Sequence, residues 1–367
     1  MVKKMLLILL AIALPSLVSI NAGASDTKNY SGPPIEIRLS VHVPSTHMIW
    51  QKMLLPWAEM VEKESNGKLV IKPYLGGVLH GARDGFKAVR GDVTDMAMCY
   101  PAWSPAGFHL NHVFGLPFAF PNASVAAIVG EELYPKYLKE EYEKKGIYLA
   151  FNSSMATYDL ISRKPVRKLE DMKGMKVRTV AGPQADAAKK LGAVPVFMSI
   201  NEVYTALQRG MIDAVLSPNF AGYAYRFFEM AKFVTRLDYA ITASSWGHNP
   251  KTFDALPEEL KPQWYNLLRI ESQMFANAMD EENRLSRERN KKEGIEEITL
   301  SPQEFARWKQ TVQPLWDQFV EENEARGLPA KALVQELKAR SEKYSTWSEA
   351  QLMERVKKDP VKGIIDF

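Results

Sequence analysis

Arg178 closes the run Met172-Lys-Gly-Met-Lys-Val-Arg178, a short apolar strand pattern that ends on a cation. A guanidinium is permanently charged and presents a flat fork of donors that matches a carboxylate edge to edge. The segment Ser199-Ile-Asn-Glu-Val-Tyr-Thr-Ala-Leu-Gln-Arg-Gly210-Met-Ile-Asp213 follows, a helix pattern stopped by glycine before another strand. An arginine at the end of a strand in such a setting reads as a device for capturing small organic acids. The bland alternative for Arg178 is a surface or interdomain salt bridge.

Other side chains are placed to line a pocket. Tyr100 ends the strand pattern Asp95 to Tyr100, and ligands of parallel sheets bind outside the carboxyl ends of strands. Trp103 opens a proline-broken stretch to Pro121 that carries Phe108, Phe114, Phe118 and Phe120; it reads equally as a pocket lining or a cover for the core. Trp246 precedes Gly247, where backbone can approach a ligand closely; a core role competes. Phe220 and Tyr223 could form an opposite wall. His47 and Trp50 open a helix whose N-terminus could face an anion, although Trp50 fits a core position.

Enzyme signatures are missing: there is no nucleophile elbow, no HExxH and no paired cysteines. The six histidines are scattered, and His109 and His112 lie in a proline-broken loop without nearby carboxylates, so neither a metal nor another cofactor is expected.

These residues need a scaffold. Ile35 to Val43 alternates as a strand, His47 to Ser65 reads as a helix that Pro56 could kink, and Leu69 to Leu75 is a second strand. With a short helix at 82–90 and the strand at 95–100, the order is β-α-β-α-β, which implies parallel strands with helices on their faces. After a helix at 123–145 and a strand at 147–151 a second α/β block begins, with strands at 158–162, 176–180, 194–198 and 214–217. Leu256 to Lys292 is the longest helical pattern. Counted from Pro262 it spans roughly 45–50 Å, enough to brace two domains. Helices at 301–324 and 329–354 follow.

The first residues resemble an export signal: Lys3 and Lys4, an apolar run from Met5 to Ile20, and Ala22-Gly23-Ala24. Cleavage after residue 24 would remove two lysines and leave the net charge at +2 from +4, too balanced to suggest nucleic acid. No membrane anchor is expected after cleavage. Cys99 is the single cysteine, so no internal disulfide can form, and its apolar surroundings predict a buried thiol.

Taken together, these motifs resemble the periplasmic solute-binding proteins of TRAP transporters, of the DctP type. The resemblance rests on Ser65-Asn-Gly67-Lys-Leu69, Leu169-Glu-Asp-Met-Lys-Gly-Met-Lys-Val-Arg178, Asn201-Glu-Val-Tyr-Thr-Ala-Leu-Gln-Arg-Gly210-Met-Ile-Asp213 and Phe253-Asp-Ala-Leu-Pro-Glu-Glu-Leu260, and it runs from about residue 35 to 345. It implies a two-domain α/β fold of the periplasmic-binding-protein kind, with crossing hinge strands and a long helix spanning both domains. The implied parts are 35–150 with 240–255, 151–239 with parts of 295–345, the helix 256–292, and a tail at 346–367. It also implies a monomer in the periplasm that hands its ligand to a small and a large integral membrane subunit. Arg178 aligns with the family's carboxylate-binding arginine. Two departures stand out: Tyr158 sits where many relatives have a second arginine, and Ser217 sits where many have an asparagine, with Asn219 just after Pro218. A site with one cation and more aromatic character suits a monocarboxylate with an apolar or aromatic body. A binding protein that feeds a signalling receptor would use the same cleft, and an enzyme is the more distant rival.

Overall fold

The computed structural model describes residues 30–103, 107–180 and 182–367; the signal-like segment and the side chain of Trp103 lie outside them. Its strands, numbered along the chain, are β1 (Ile35–Ser40), β2 (Leu69–Tyr74), β3 (Met96–Cys99), β4 (Tyr148–Ser154), β5 (Asp159–Ser162), β6 (Lys176–Arg178), β7 (Val194–Val196), β8 (Ala214–Ser217), β9 (Phe233–Arg236), β10 (Ala243–His248) and β11 (Glu296–Thr299). They form two sheets, in the orders β2-β1-β3-β10-β4 and β11-β9-β5-β8-β6-β7.

Each sheet keeps a parallel trio at its working edge. β1 pairs parallel with β2 and β3, and β6 pairs parallel with β7 and β8. β3, the sequence Met-Ala-Met-Cys, is buried along its whole length, as a central strand covered on both faces must be. Burial pushes the Cys99 thiol up to about 12, which makes it an inert core group.

The sheets are joined by strands that cross between them. β4 runs on through 155–158 into β5, and β9 runs on through 237–242 into β10. The two crossings are hydrogen-bonded to each other, Tyr158 N to Ala240 O at 2.9 Å and Tyr239 N to Tyr158 O at 2.9 Å. β10 returns antiparallel between β3 and β4, and β5 runs antiparallel between β8 and β9, so both sheets are mixed. That return strand also decides Trp246. Its ring is fully buried and stacks on Phe151 at 5.3 Å, in register with Met98 on the neighbouring strand, so it is core and not a wall of the cleft.

The long helix runs Lys261–Lys292, with Pro262 in its first turn where the missing N–H costs nothing. It begins after Leu260, a turn later than the sequence pattern suggested. At 1.5 Å per residue it is about 48 Å long. Its first part serves the first sheet. Trp57 Nε1 donates to Leu267 O at 3.0 Å, and Ser272 Oγ donates to Asn152 O of β4 at 3.1 Å. Asp280 caps the helix Ala123–Leu133 by accepting from the backbone N–H groups of Ala123 and Ser124. Its last part serves the second sheet through Asn283, Arg287 and Asn290.

Several helices differ from the sequence expectation for local reasons. A stretch of π-helix, Ile49–Leu54, precedes the helix Leu55–Glu64, which places Pro56 at that helix's start. The 301–324 pattern is broken at Gln313 by Pro314, giving Pro302–Val312 and Pro314–Glu324. The pattern at 329–354 is likewise two helices, Ala330–Tyr344 and Glu349–Lys358, the second opened by a capping box at Ser348 and Gln351. The tail that follows is tied to the long helix: Tyr265 Oη donates to Val361 O at 2.5 Å, and Ile364 N donates to Tyr265 Oη at 3.2 Å.

His248 on β10 couples sheet to helix and yields a measurable pH effect. Its Nδ1 lies 2.9 Å from Asn249 O and its Nε2 accepts from Trp264 Nε1 at 3.1 Å, so the neutral ring uses both nitrogens. Burial lowers its pKa to about 4. A depressed base stabilises the fold above its unfolded value and loses that contribution as pH falls toward the folded value. We therefore expect His248 to cost about 2 kcal/mol of stability between pH 7 and pH 5. Urea denaturation at both pH values should show this loss in the parent and a smaller one in His248→Gln; equal slopes would refute the assignment.

Candidate functional site

Arg178 ends β6 with its side chain sealed inside the molecule, 6% exposed. Its Nε and Nη2 both donate to Met198 O, each at 3.3 Å. No carboxylate stands within ion-pair range among the described residues, and Nη1 makes no hydrogen bond there. Burial lowers its pKa from the ordinary value, yet a guanidinium stays charged. A buried cation with a single carbonyl for company is an incomplete structure. Its Nη1–Nη2 edge carries no acceptor among the described residues.

Phenols surround this cation. Tyr158 and Tyr225 are close enough for their hydroxyls to feel the charge on Arg178. Tyr158 Oη also lies 2.8 Å from Thr242 Oγ1 on the return crossing. Tyr100 follows β3 of the other sheet, and its hydroxyl in turn feels Tyr225 and Tyr158. The two parallel trios thus present their carboxyl ends to one cleft, Tyr100 from β3 and Arg178 from β6. Ser217, at the end of β8 and buried, lies two residues beyond Val215, the strand neighbour of Arg178, and so shares its face.

Beside this cluster lies a narrow cavity between the two halves. Pro101, Asn111 and His112 line it from one side, Val180 and Gln184 from the other, with Thr242 from the crossing strand. Gln184 Nε2 donates to Ile241 O at 3.0 Å, while its buried Oε1 has no partner among the described residues. Gly182 adopts φ of 80°, and a Cβ there would meet His112 Nδ1 at 3.3 Å, so a side chain at this position would be strained and crowd the cavity.

Not every expected site residue is in the cleft. Asn219 is fully buried and spent on structure: its Nδ2 donates to Asp159 Oδ2 at 2.6 Å, its Oδ1 accepts from Asn290 at 2.7 Å, and its N–H donates to Asn283 at 2.9 Å. Asp159 also accepts from the N–H groups of Leu237 and Asp238 and from Arg287. Burial opposes the charge on Arg287, but Asp159 and Asp238 outweigh it and raise its pKa. Tyr223 turns toward the long helix, donating to Asn290 and lying under Arg289. Phe220 is half-buried and packs against both hydrophobic clusters. Phe108, Phe114 and Phe120 are core residues, so most of the aromatic loop covers the interior, with Phe114 also reaching the cavity.

Sequence reading missed Tyr225, Gln184 and Thr242. Tyr225 follows the short helix Asn219–Ala224, immediately before Arg226 in a left-handed turn. Nothing in its spacing separates it from Tyr223.

The chain was compared with known proteins. Residues 40–323 match the family model DctP, bacterial extracellular solute-binding protein, family 7. The chain belongs to this family. The C4-dicarboxylate-binding periplasmic protein DctP of Rhodobacter capsulatus is 27% identical over 297 residues, covering 78% of this chain and 87% of the relative. A TRAP periplasmic solute-binding protein from Desulfovibrio salexigens, solved as an open complex, superposes with a TM-score of 0.78 at 25% identity over 86% of this chain and 98% of that one. A TRAP solute-binding protein from Rhodoferax ferrireducens, solved with copurified benzoate, gives 0.78 at 20% identity over 85% and 98%. This DctP-family chain is a TRAP solute-binding component and not an enzyme.

The placement of Asn219 separates stability from binding. Asn219→Ala leaves Asp159 and Asn290 each short of a buried partner and should destabilise the protein by about 2–3 kcal/mol. Ligand affinity should stay within about threefold of the parent, since less than roughly 0.7 kcal/mol of binding is at stake. Chemical denaturation and calorimetric titration distinguish these effects; a large loss of affinity without loss of stability would return Asn219 to the site.

Proposed function

We propose that this chain is the periplasmic receptor of a TRAP transporter for an organic monocarboxylate with an apolar or aromatic body. The observation that carries the reading is the buried Arg178, whose free edge has the geometry of a carboxylate partner and no acid beside it. The groups gathered around it are phenols, hydroxyls and an amide, which supply apolar faces and single hydrogen bonds rather than a second cation. Family relatives are named for C4-dicarboxylates and solved with benzoate, and the phenol-rich surroundings of Arg178 favour the second kind of acid.

In this reading residues 35–150 with 240–255 form one closing body and residues 151–239 with parts of 295–345 the other. The helix 256–292 bridges them, and the tail 346–367 straps that helix. The ligand touches both bodies only when they are closed, so it shifts the population by its differential affinity. The closed monomer then docks on the small and large integral subunits. No described helix is long and apolar enough to cross a membrane.

Thermal-shift screening of carboxylic acids tests this, since a ligand that binds the folded state raises the melting temperature by mass action. Aromatic and aliphatic monocarboxylates should stabilise the protein. Arg178→Lys keeps the charge but loses the fork, and should weaken binding roughly 10- to 100-fold. Stabilisation by dicarboxylates alone, or parent-like binding by Arg178→Lys, would refute the reading.

A further inference from the structure

Across the cleft from Arg178 the first sheet gathers three histidines that the chain separates widely. His42 follows β1. His47 sits in the turn that leads to the helical stretch 49–64. His80 lies on the loop after β2. The loop packs directly on the end of β1: Gly76 N donates to Val43 O at 2.8 Å and Gly77 N to Val41 O at 3.2 Å. A Cβ on Gly77 would lie 3.4 Å from His80 O and 3.8 Å from the Cα of His42. The φ of 76° at Gly77 is what lets the loop make this approach. The His42 ring meets the Tyr100 ring edge-on at 5.8 Å, which links the group to the phenols around Arg178.

Each histidine holds a buried ring nitrogen without a hydrogen-bond partner among the described residues: Nδ1 of His42, Nε2 of His47 and Nε2 of His80. Buried polar groups are seldom left so. Backbone contacts fix what two of these atoms do. His47 Nδ1 accepts from Ile49 N–H at 3.2 Å, so in the neutral ring the proton is on Nε2 and that atom is a donor. His80 Nδ1 lies 2.9 Å from Gly81 O, a group that only accepts, so Nδ1 carries the proton and the neutral ring leaves Nε2 as an acceptor. Burial holds His47 below its ordinary pKa. Burial and the repulsion of His80 and His47 bring His42 to about 4. A metal would need lone pairs on all of these atoms, and His47 Nε2 has none to give. Among the described residues no three such side chains are arranged to hold an ion.

His42 feels the charge of both other rings, and a donor and an acceptor that flank one ring match a group that does both. We propose that His47 and His80, with His42 beside them, form a hydroxyl-recognition pocket, so that the ligand is a hydroxylated monocarboxylic acid with its hydroxyl remote from the carboxyl. This rests on the reading that Arg178 takes the carboxylate. A site built to pair a hydroxyl discriminates against the analogue that lacks it, because its own polar groups are then stranded.

Calorimetric titration of the full chain with matched pairs tests the pocket: 3-hydroxybenzoate against benzoate, 4-hydroxyphenylacetate against phenylacetate, and 4-hydroxybutyrate against butyrate. In at least one pair the hydroxylated acid should bind about tenfold or more tightly. His47→Phe and His80→Phe should each cut that ratio below about threefold. His47→Gln, which keeps an N–H donor, should restore part of the preference, and it serves with His80→Gln if a phenylalanine variant does not fold. Equal binding within every pair, as when ordered water alone fills the pocket, overturns the proposal. So does discrimination that survives in the histidine variants. If acids bind through Arg178 without such discrimination, only the histidine pocket fails; if no acid binds, or Arg178→Lys is indifferent, the carboxylate reading fails with it.

Discussion

A guanidinium taken out of water and given a single carbonyl costs several kcal/mol that the surrounding fold must absorb. Arg178 is held in that condition by its place at the end of β6, between β7 and β8, with Met198 O as its only hydrogen-bond acceptor among the described residues. Much of the architecture follows from keeping this cation both buried and incomplete. The ionisable groups it feels are the phenols Tyr158 and Tyr225, which do not neutralise it. A carboxylate in their place would form a permanent ion pair and leave nothing for a ligand to supply.

The two sheets bring their parallel trios to one cleft because the crossings are antiparallel and hydrogen-bonded to each other. Tyr158 and Thr242, one on each crossing, are joined at 2.8 Å close to the cation. The connection between the halves and the floor of the site are therefore the same residues. Farther out, Asp159 gathers donors from β5's neighbours, from the start of the helix at 219 and from the long helix, which fixes the second sheet to that helix. Positioning and anchoring are done by adjacent residues on one strand: Tyr158 turns to the cleft and Asp159 to the frame.

Local pattern made part of this legible. The arginine strand, the helix that stops at Gly210 and the long helix all depend on short-range periodicity and on glycine or proline stops, which a sequence displays. The Pro314 break was equally local and was passed over, because charge and apolar spacing continue through it. Trp246, which reads as either wall or core, and Asn219, which reads as a binding residue, go astray for another reason. Their roles are set by β10 returning between β3 and β4 and by the long helix passing over residue 219, and both are long-range pairings. Asn219, next to a signature motif, reads as a binding residue until Asp159 and Asn290 are seen to occupy its amide.

The histidines show the limit more sharply. Residues 42, 47 and 80 share no period, and the feature that gives them a use is which nitrogen each backbone neighbour occupies. That arrangement bears on how one fold serves different acids. In the proposed pocket a second carboxylate placed against His80 Nε2 would meet a lone pair, whereas a hydroxyl would meet a donor at His47 and an acceptor at His80. With the cation at Arg178 and burial holding His42 and His47 below the ordinary histidine range, the proposed site is polarised along its length. One end can discharge a full negative charge and the other can satisfy only a dipole. The family's fold is compatible with C4-dicarboxylates in one relative and benzoate in another, so selectivity must come from side chains at the strand ends. In the proposed site these are Arg178 at the end of β6 and the three histidines on the turns and loop beyond β1 and β2, a chemical asymmetry that suits a ligand that is itself asymmetric.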